Sequence, residues 1–291
     1  MKNKVILSIG LLACIFFSRV QASPLLVETA WLKEHLDDKN IVLVDMSDNL
    51  QYQRFHIPGA IHLPYSVLNQ RTKKGVSLSV GSKQIIHILG LLGIQRDSHV
   101  IIYDDTGGLN AARLLWELDI LNHKQVSILN GGLVKWILDG HRVIARPVKP
   151  VAVKYIMESS ARPSPLLVTL DGIRKNDSIL LDVRSREEYL GHPRQKRSGH
   201  IPGAKWWNWD QSVDFENGFK QKGTTALMSS LKQLGITSKK QAITVYCQSG
   251  HRAAQSYFTL KSLGFNNIKL FDGSMAEYQQ TVLPLNKGMN P

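Results

Sequence analysis

The pentapeptide His56-Ile57-Pro58-Gly59-Ala60 occurs again, unchanged, as His200-Ile201-Pro202-Gly203-Ala204. It does not recur alone. Ile179-Leu180-Leu181-Asp182-Val183 answers the run from Ile41 to Met46, and Leu234-Gly235-Ile236 answers Leu92-Gly93-Ile94. Tyr246-Cys247 answers Tyr103-Asp104, and Phe271-Asp272-Gly273 answers Leu129-Asn130-Gly131. The order is kept and the spacing is about 140 residues, far longer than a solenoid unit, so the pattern is that of a duplicated domain. A chain of 291 residues has room for two. In the first copy, apolar runs at 41–46, 100–103 and 126–129 alternate with helical periodicity over 27–36, 83–92 and 109–121. That alternation predicts an α/β fold, a parallel sheet with helices on both faces. The copies read as 24–146 and 166–285, joined by a connector at 147–165 with no strong periodicity.

The first 22 residues stand apart. Lys2 and Lys4 make a basic start, Val5 to Phe17 is apolar but short for a bilayer, and Val20-Gln21-Ala22 has the small residues a signal peptidase reads. The expectation is a secretory signal cleaved after Ala22, a periplasmic or secreted product, and no stable membrane insertion after cleavage. Two alternatives stay open: an anchor left in place, and lipidation at Cys14, where Leu11-Leu12-Ala13-Cys14 loosely matches a lipoprotein box. Apolar residues continuing through Phe17 argue against the latter. With the segment removed, Cys247 is the only cysteine, so no internal disulfide can form even where the compartment permits one.

Apolar content of 43% and charged content of 20% fit a soluble globular chain. Loss of Lys2, Lys4 and Arg19 takes the net charge from +13 to about +10. The cations are scattered, apart from small clusters at Arg71 to Lys74 and Arg194 to Arg197. No long basic run interleaves with aromatic residues, which argues against a nucleic-acid groove. The charge fits solubility and small anionic substrates. The histidines lack partner cysteines or paired carboxylates at ligand spacing, so neither a metal nor another cofactor is expected.

Cys247 sits between the apolar run Ala242 to Tyr246 and the helical stretch Ala253 to Leu260. A loop at such a junction can turn its N–H groups inward as an anion-binding nest, and the positive end of the following helix adds to the field. Both favour thiolate; cysteines so placed have pKa values of roughly 3.5–7.5. The expectation is a nucleophile. The first copy carries Asp104 in the same place, with Gly108 and Leu109 opposite His251 and Arg252, and should be catalytically silent. The second copy also carries an insertion, Gly191 to Ser198, which is either a solvated basic loop or an anion clamp.

Together, Asp182-Val183-Arg184, the repeated turn, the cysteine loop and Asp272-Gly273-Ser274 resemble the tandem-domain rhodanese-like sulfurtransferases, over about 24–285. The resemblance implies two α/β domains, the second active, and a cysteine that takes a sulfane sulfur from thiosulfate or 3-mercaptopyruvate and passes it to cyanide, a thiol or a protein acceptor. The loop Cys247-Gln248-Ser249-Gly250-His251-Arg252 matches neither common tandem type: thiosulfate enzymes typically carry Cys-Arg-Lys-Gly and mercaptopyruvate enzymes Cys-Gly-Ser-Gly. Ser249 agrees with the second type, while His251-Arg252 looks more like single-domain thiosulfate enzymes. The reading leans to thiosulfate. Phosphatases of the same fold need five residues between cysteine and arginine, and here there are four, Gln248 to His251.

Under this resemblance Cys247 is the catalytic residue. Backbone N–H groups of Gln248 to Arg252 would surround the transferred sulfur, and Gly250 would permit the tight backbone. Arg252 either forks to a donor oxygen or holds the loop by a salt bridge. Ser249 either donates to the leaving group or caps the helix. His251 either adds positive charge or is simply solvated. Arg184 either contacts the substrate anion, as the family arginine does, or makes a structural ion pair. Arg194, in His192-Pro193-Arg194, resembles a second family arginine that binds carboxylate. His56, with Asp45 near it, is either a proton relay from the first domain or a turn-stabilising residue; its recurrence as His200 favours the turn.

Overall fold

Apolar runs bounded by turn residues become central strands, and the stretches after them become helices that cover both sheet faces. The computed structural model describes residues 24–157, 164–175 and 177–290. The segment read as a signal, Cys14 included, lies outside the described residues. In the first half β1 (Leu26–Val27) leads to α1 (Thr29–His35), β2 (Ile41–Asp45), α2 (Asn49–Arg54) and β3 (Ile61–His62). A hairpin of β4 (Asn69–Arg71) and β5 (Ser77–Ser79) precedes α3 (Ser82–Leu91), β6 (His99–Tyr103), α4 (Ala111–Ile120), β7 (Gln125–Leu129) and α5 (Gly132–Leu138). The strand order is β1-β7-β6-β2-β3, all parallel.

The second half repeats this. It runs β8 (Leu167–Val168), α6 (Leu170–Arg174), β9 (Ile179–Asp182), α7 (Arg186–Leu190) and β10 (Lys205–Trp206), then a hairpin of β11 (Val213–Asp214) and β12 (Lys220–Gln221). It ends with α8 (Thr224–Gln233), β13 (Ile243–Tyr246), α9 (His251–Ser262), β14 (Ile268–Phe271) and α10 (Ser274–Tyr278). The order β10-β9-β13-β14-β8 is the first sheet's order read from the other edge, again all parallel. The expected α/β duplication is therefore observed. One difference lies at the entry: the helix expected from residue 27 begins at Thr29, because Leu26 and Val27 pair with Ile128 and Leu129 as an edge strand. Two residues are too few to show a period.

What places the two loops together is the pair of helices that follow them. Ala111 to Leu118 of α4 are all buried, as are Ala253 to Leu260 of α9, and the helices pack on each other. A helix buried on all sides belongs to an interior, not a surface. One apolar core accordingly runs across both halves, from Val44 and Trp116 to Val245 and Leu270. Each such fully buried side chain contributes about 1.5–3 kcal/mol, so the halves are held as neighbours by a shared core. The connector lies against α3, with Val153 N donating to Gly90 O at 2.8 Å. A Cβ on Gly90 would stand 2.6 Å from Val153 O, so only glycine allows that approach. Among the described residues no helix is long and apolar enough to cross a membrane.

Candidate active site

Cys247 follows directly on β13, the middle strand of the second sheet, and is 1% exposed. Its loop is braced from the next turn. Ser274 Oγ accepts from Cys247 N at 3.1 Å and Gly250 N at 3.2 Å, and donates to Phe271 O at 2.8 Å. Met275 N donates to Cys247 O and Ala276 N to Gln248 O. Ser274 is fully buried and holds φ 49, a left-handed conformation uncommon for a residue with a side chain. Three hydrogen bonds on one hydroxyl account for its retention there. Gly250 is the N-cap of α9 with φ +79. A Cβ on it would lie 2.6 Å from Asp272 Oδ1 and 3.0 Å from Arg113 Nη1, so glycine is required twice over.

The first-domain loop shows what this backbone does with a negative charge. Asp104 is buried, and its carboxylate accepts four amides: Thr106 N and Gly108 N on Oδ1, both at 2.9 Å, and Asn110 N at 2.7 Å and Ala111 N at 2.9 Å on Oδ2. The register around the loops differs from the sequence reading. Ala112 N donates to Gly108 O at 2.9 Å, as Ala254 N does to Gly250 O at 3.1 Å. Gly108 thus answers Gly250, and it is Leu109 and Asn110, not Gly108 and Leu109, that answer His251 and Arg252. The first loop is longer by one residue, taken up before the glycine.

Three first-domain side chains reach the second-domain loop. Arg113 Nη1 lies 2.6 Å from Asp272 Oδ1, both groups buried, and Ser79 N donates to Asp272 Oδ2 at 2.7 Å. Arg113 also faces Glu117 at 3.2 Å and stacks over the Trp116 ring at 4.6 Å. Asn110 Nδ2 donates to Met46 O at 3.0 Å, which turns its oxygen toward His251 Nε2 at 2.7 Å. His251 is therefore the donor and carries its proton on Nε2. The Tyr65 ring lies 4.0 Å from the imidazole. Burial, then the positive Arg113 and Arg252, push the His251 pKa down to about 4. Burial pushes the Tyr65 phenol up to about 12, only partly opposed by Arg113. Tyr65, Asn110 and Arg113 were not singled out from the sequence; the one available signal was Arg113, a cation four residues before Glu117 in a mostly apolar helix.

The rhodanese-like domain family matches residues 28–139 and again 169–281. The chain belongs to the rhodanese-like sulfurtransferases. It is 31% identical over 260 residues to the thiosulfate sulfurtransferase of Azotobacter vinelandii, covering 88% of this chain and 94% of that protein. It is 32% identical over 280 residues to the sulfur carrier protein TtuD of Thermus thermophilus, covering 90% and 96%. Among solved structures, YnjE superposes with a TM-score of 0.78 at 22% identity over 91% of this chain and 68% of that one. An EanB variant in complex with hercynine gives 0.81 at 20% identity, over 91% and 69%. These two likenesses concern the fold.

The cations expected at the site are placed differently from one another. Arg252 forks onto Glu188, Nη1 to Oε2 at 2.6 Å and Nη2 to Oε1 at 2.8 Å. Burial raises the Glu188 carboxyl, but the Arg252 fork outweighs it and the net direction is down. Of the two readings of Arg252, the loop-holding salt bridge is the one observed. Arg184 makes the ion pair of its two alternatives: its Nε and Nη2 bond the Asp182 carboxylate, Nη2 also donates to Gly199 O at 2.8 Å, and the side chain is 2% exposed. The first copy has Ser47 in its place, and Asp45, lacking that partner, has its carboxyl raised by burial. Arg194 lies exposed in the insertion.

Arg197 of the same insertion is spent on carbonyl oxygens beyond α10, Leu283 O at 2.8 Å and Gln279 O at 3.3 Å. Ser249 does not cap α9, since Gly250 holds that position. His56 is fully buried, with Nδ1 against Tyr52 O and Nε2 against Arg146 O, and His200 repeats the arrangement on Tyr189 O and Asn290 O. Both are turn-stabilising residues stacked on a tyrosine. Gln248 Nε2 reaches Gln279 Oε1 at 3.5 Å.

Proposed function

We propose that Cys247 takes the sulfane sulfur of thiosulfate, or secondarily of 3-mercaptopyruvate, and passes it as a persulfide to cyanide or a thiol. The Cys247 thiolate attacks the outer sulfur of thiosulfate. The S–S bond of the donor breaks, its electron pair leaves on sulfite, and a Cys247 persulfide anion remains. An acceptor thiolate or cyanide then attacks the outer persulfide sulfur and returns the thiolate, with no net oxidant or reductant. The observation that carries this reading is the Asp104 loop, where four amides at 2.7–2.9 Å hold one negative charge. The second copy presents the same strand-loop-helix, with the Arg252 and Ala253 amides answering those of Asn110 and Ala111 and with sulfur in place of carboxylate. Preorganised amides aimed at developing charge are the main electrostatic resource of such a site.

Arg252 and His251 offer a thiosulfate dianion little free positive charge, since one is engaged by Glu188 and the other is neutral at pH 7. Support comes instead from relatives named thiosulfate sulfurtransferase in Azotobacter vinelandii and Pseudomonas aeruginosa. A second reading, delivery to a protein rather than turnover on small acceptors, draws on the similarity to TtuD.

The test is mass spectrometry of the protein after exposure to each donor, paired with steady-state rates to cyanide. One added sulfur on Cys247 and near-total loss of rate in Cys247→Ser are expected. A rate unchanged by that substitution would overturn the proposal. Export rests on the basic and apolar start and on Val20-Gln21-Ala22; sequencing of the mature protein should begin at Ser23.

A further inference from the structure

Two basic clusters far apart in sequence meet at one edge of the active loop. The turn of the first hairpin, Arg71 to Gly75, is exposed throughout, and Lys74 O accepts from Gln280 Nε2 at 3.1 Å. The insertion carries exposed His192, Arg194 and Lys196, and its Arg197 O accepts from Gln279 Nε2 at 2.9 Å. Two successive residues after α10 therefore hold one cluster each. Gln279 also receives the Gln248 side chain, so both clusters stand beside the residue that follows Cys247. The insertion is held in place, not swinging: Lys287 Nζ donates to His192 O and Gln195 O at 3.0 and 2.9 Å, and Ser198 Oγ to the same two carbonyls.

None of the three segments, 71–76, 191–198 and 279–290, contains an aspartate or glutamate. Scattered surface cations normally alternate with acids, and a one-sign rim at a cleft steers partners of the opposite sign. A small anion needs one or two cations near the sulfur, whereas these lie on two separate arms, each tied to one of the successive residues Gln279 and Gln280. No aromatic side chain of the 71–76 or 191–198 arms interleaves with the cations, as a nucleic-acid surface would require.

We infer that this rim is a docking face for an acidic protein surface that presents the accepting thiol to Cys247. The inference rests on the sulfur-transfer reading above and names the class of its acceptor.

The probe is a fluorescent peptide with five glutamates followed by Gly-Cys, compared with the same peptide bearing glutamines. Anisotropy should show the acidic peptide binding at least about tenfold tighter at low ionic strength, with the difference gone near 0.5 M salt, where the Debye length falls to about 4 Å. The variant K73E/K74E/K196E should lose the preference and keep its thiosulfate-to-cyanide rate. Equal affinity for the two peptides, a preference that survives the triple substitution, or tighter binding to phosphatidylglycerol vesicles than to the acidic peptide would each overturn the inference. Absence of both persulfide and cyanide turnover in the unaltered protein would instead remove the reading of Cys247, and with it the acceptor role, whatever the anisotropy shows.

Discussion

Arg113 of the first domain and Asp272 of the second meet at 2.6 Å, both out of solvent, on the side of Gly250 where a Cβ would have to be. The first domain thereby sets the floor of the other domain's loop. Asp272 accepts from two first-domain donors, Arg113 of α4 and Ser79 N of β5, so the support of the loop that carries Cys247 is complete only when the halves are docked.

Removing one partner of this pair leaves a buried charge uncompensated, which costs about 3–5 kcal/mol. Arg113→Met and Asp272→Asn should each lower the urea midpoint accordingly. The double substitution should be less damaging than the sum of the two, because it removes both charges. Additive losses in the cycle would contradict direct coupling.

Gly250→Ala should nearly abolish sulfur transfer while the two sheets remain folded. The substitution forces a side chain into φ +79 and toward Asp272 Oδ1 at 2.6 Å, and the left-handed strain alone costs roughly 1–2 kcal/mol. A loop displaced by that clash should lose at least about tenfold in kcat/KM, the equivalent of about 1.4 kcal/mol. Steady-state kinetics with far-ultraviolet circular dichroism as the folding control would check it.

Arg252 and Glu188 should behave as one unit. Glu188 is also the capping-box residue of α7, accepting from Ser185 N at 3.1 Å, so the fork ties the start of α9 to the start of α7. Arg252→Lys keeps the charge but loses the planar two-point bond. Arg252→Lys, Glu188→Gln and the double variant should show similar losses of rate. If Arg252→Lys impaired donor binding while Glu188→Gln did not, Arg252 would be acting on substrate instead.

His251 gives a pH signature with a definite sign. The unfolded chain takes up a proton near pH 6.5, but the folded ring does so only near pH 4, because it is buried and faces Arg113 and Arg252. Its contribution to stability is full above pH 6.5 and is lost as pH falls from there toward 4. Unfolding curves across that window should be flatter for His251→Gln than for the unaltered protein, by on the order of 2 kcal/mol end to end. Parallel curves would place the imidazole in solvent.

How far the sequence could be read follows from the range of the forces involved. The duplication, the strand-loop-helix around Cys247, the placement of Asp104 in the matching loop and the shared α/β plan are matters of local periodicity and repeated turns, and they were legible residue by residue. The edge strands were not, because Leu26–Val27 and Leu167–Val168 are too short to show a period. The slip that matches Asn110, not Leu109, with Arg252 was invisible too, since an extra residue in a glycine-rich loop leaves the flanking helices unchanged.

By itself, then, the sequence determined the backbone: which stretches extend, which coil, and where a cysteine meets a helix start. Only tertiary structure decided what the charged side chains do there. Arg184 and Arg252 looked alike as candidate anion ligands, and both turned out to be engaged by carboxylates, Asp182 and Glu188. The partners of His251 and Asp272, Asn110 and Arg113, come from the other half of the chain. A side chain's partner is chosen by whatever packing brings within about 3 Å, and that distance is unrelated to separation along the chain once two buried helices, α4 and α9, have docked.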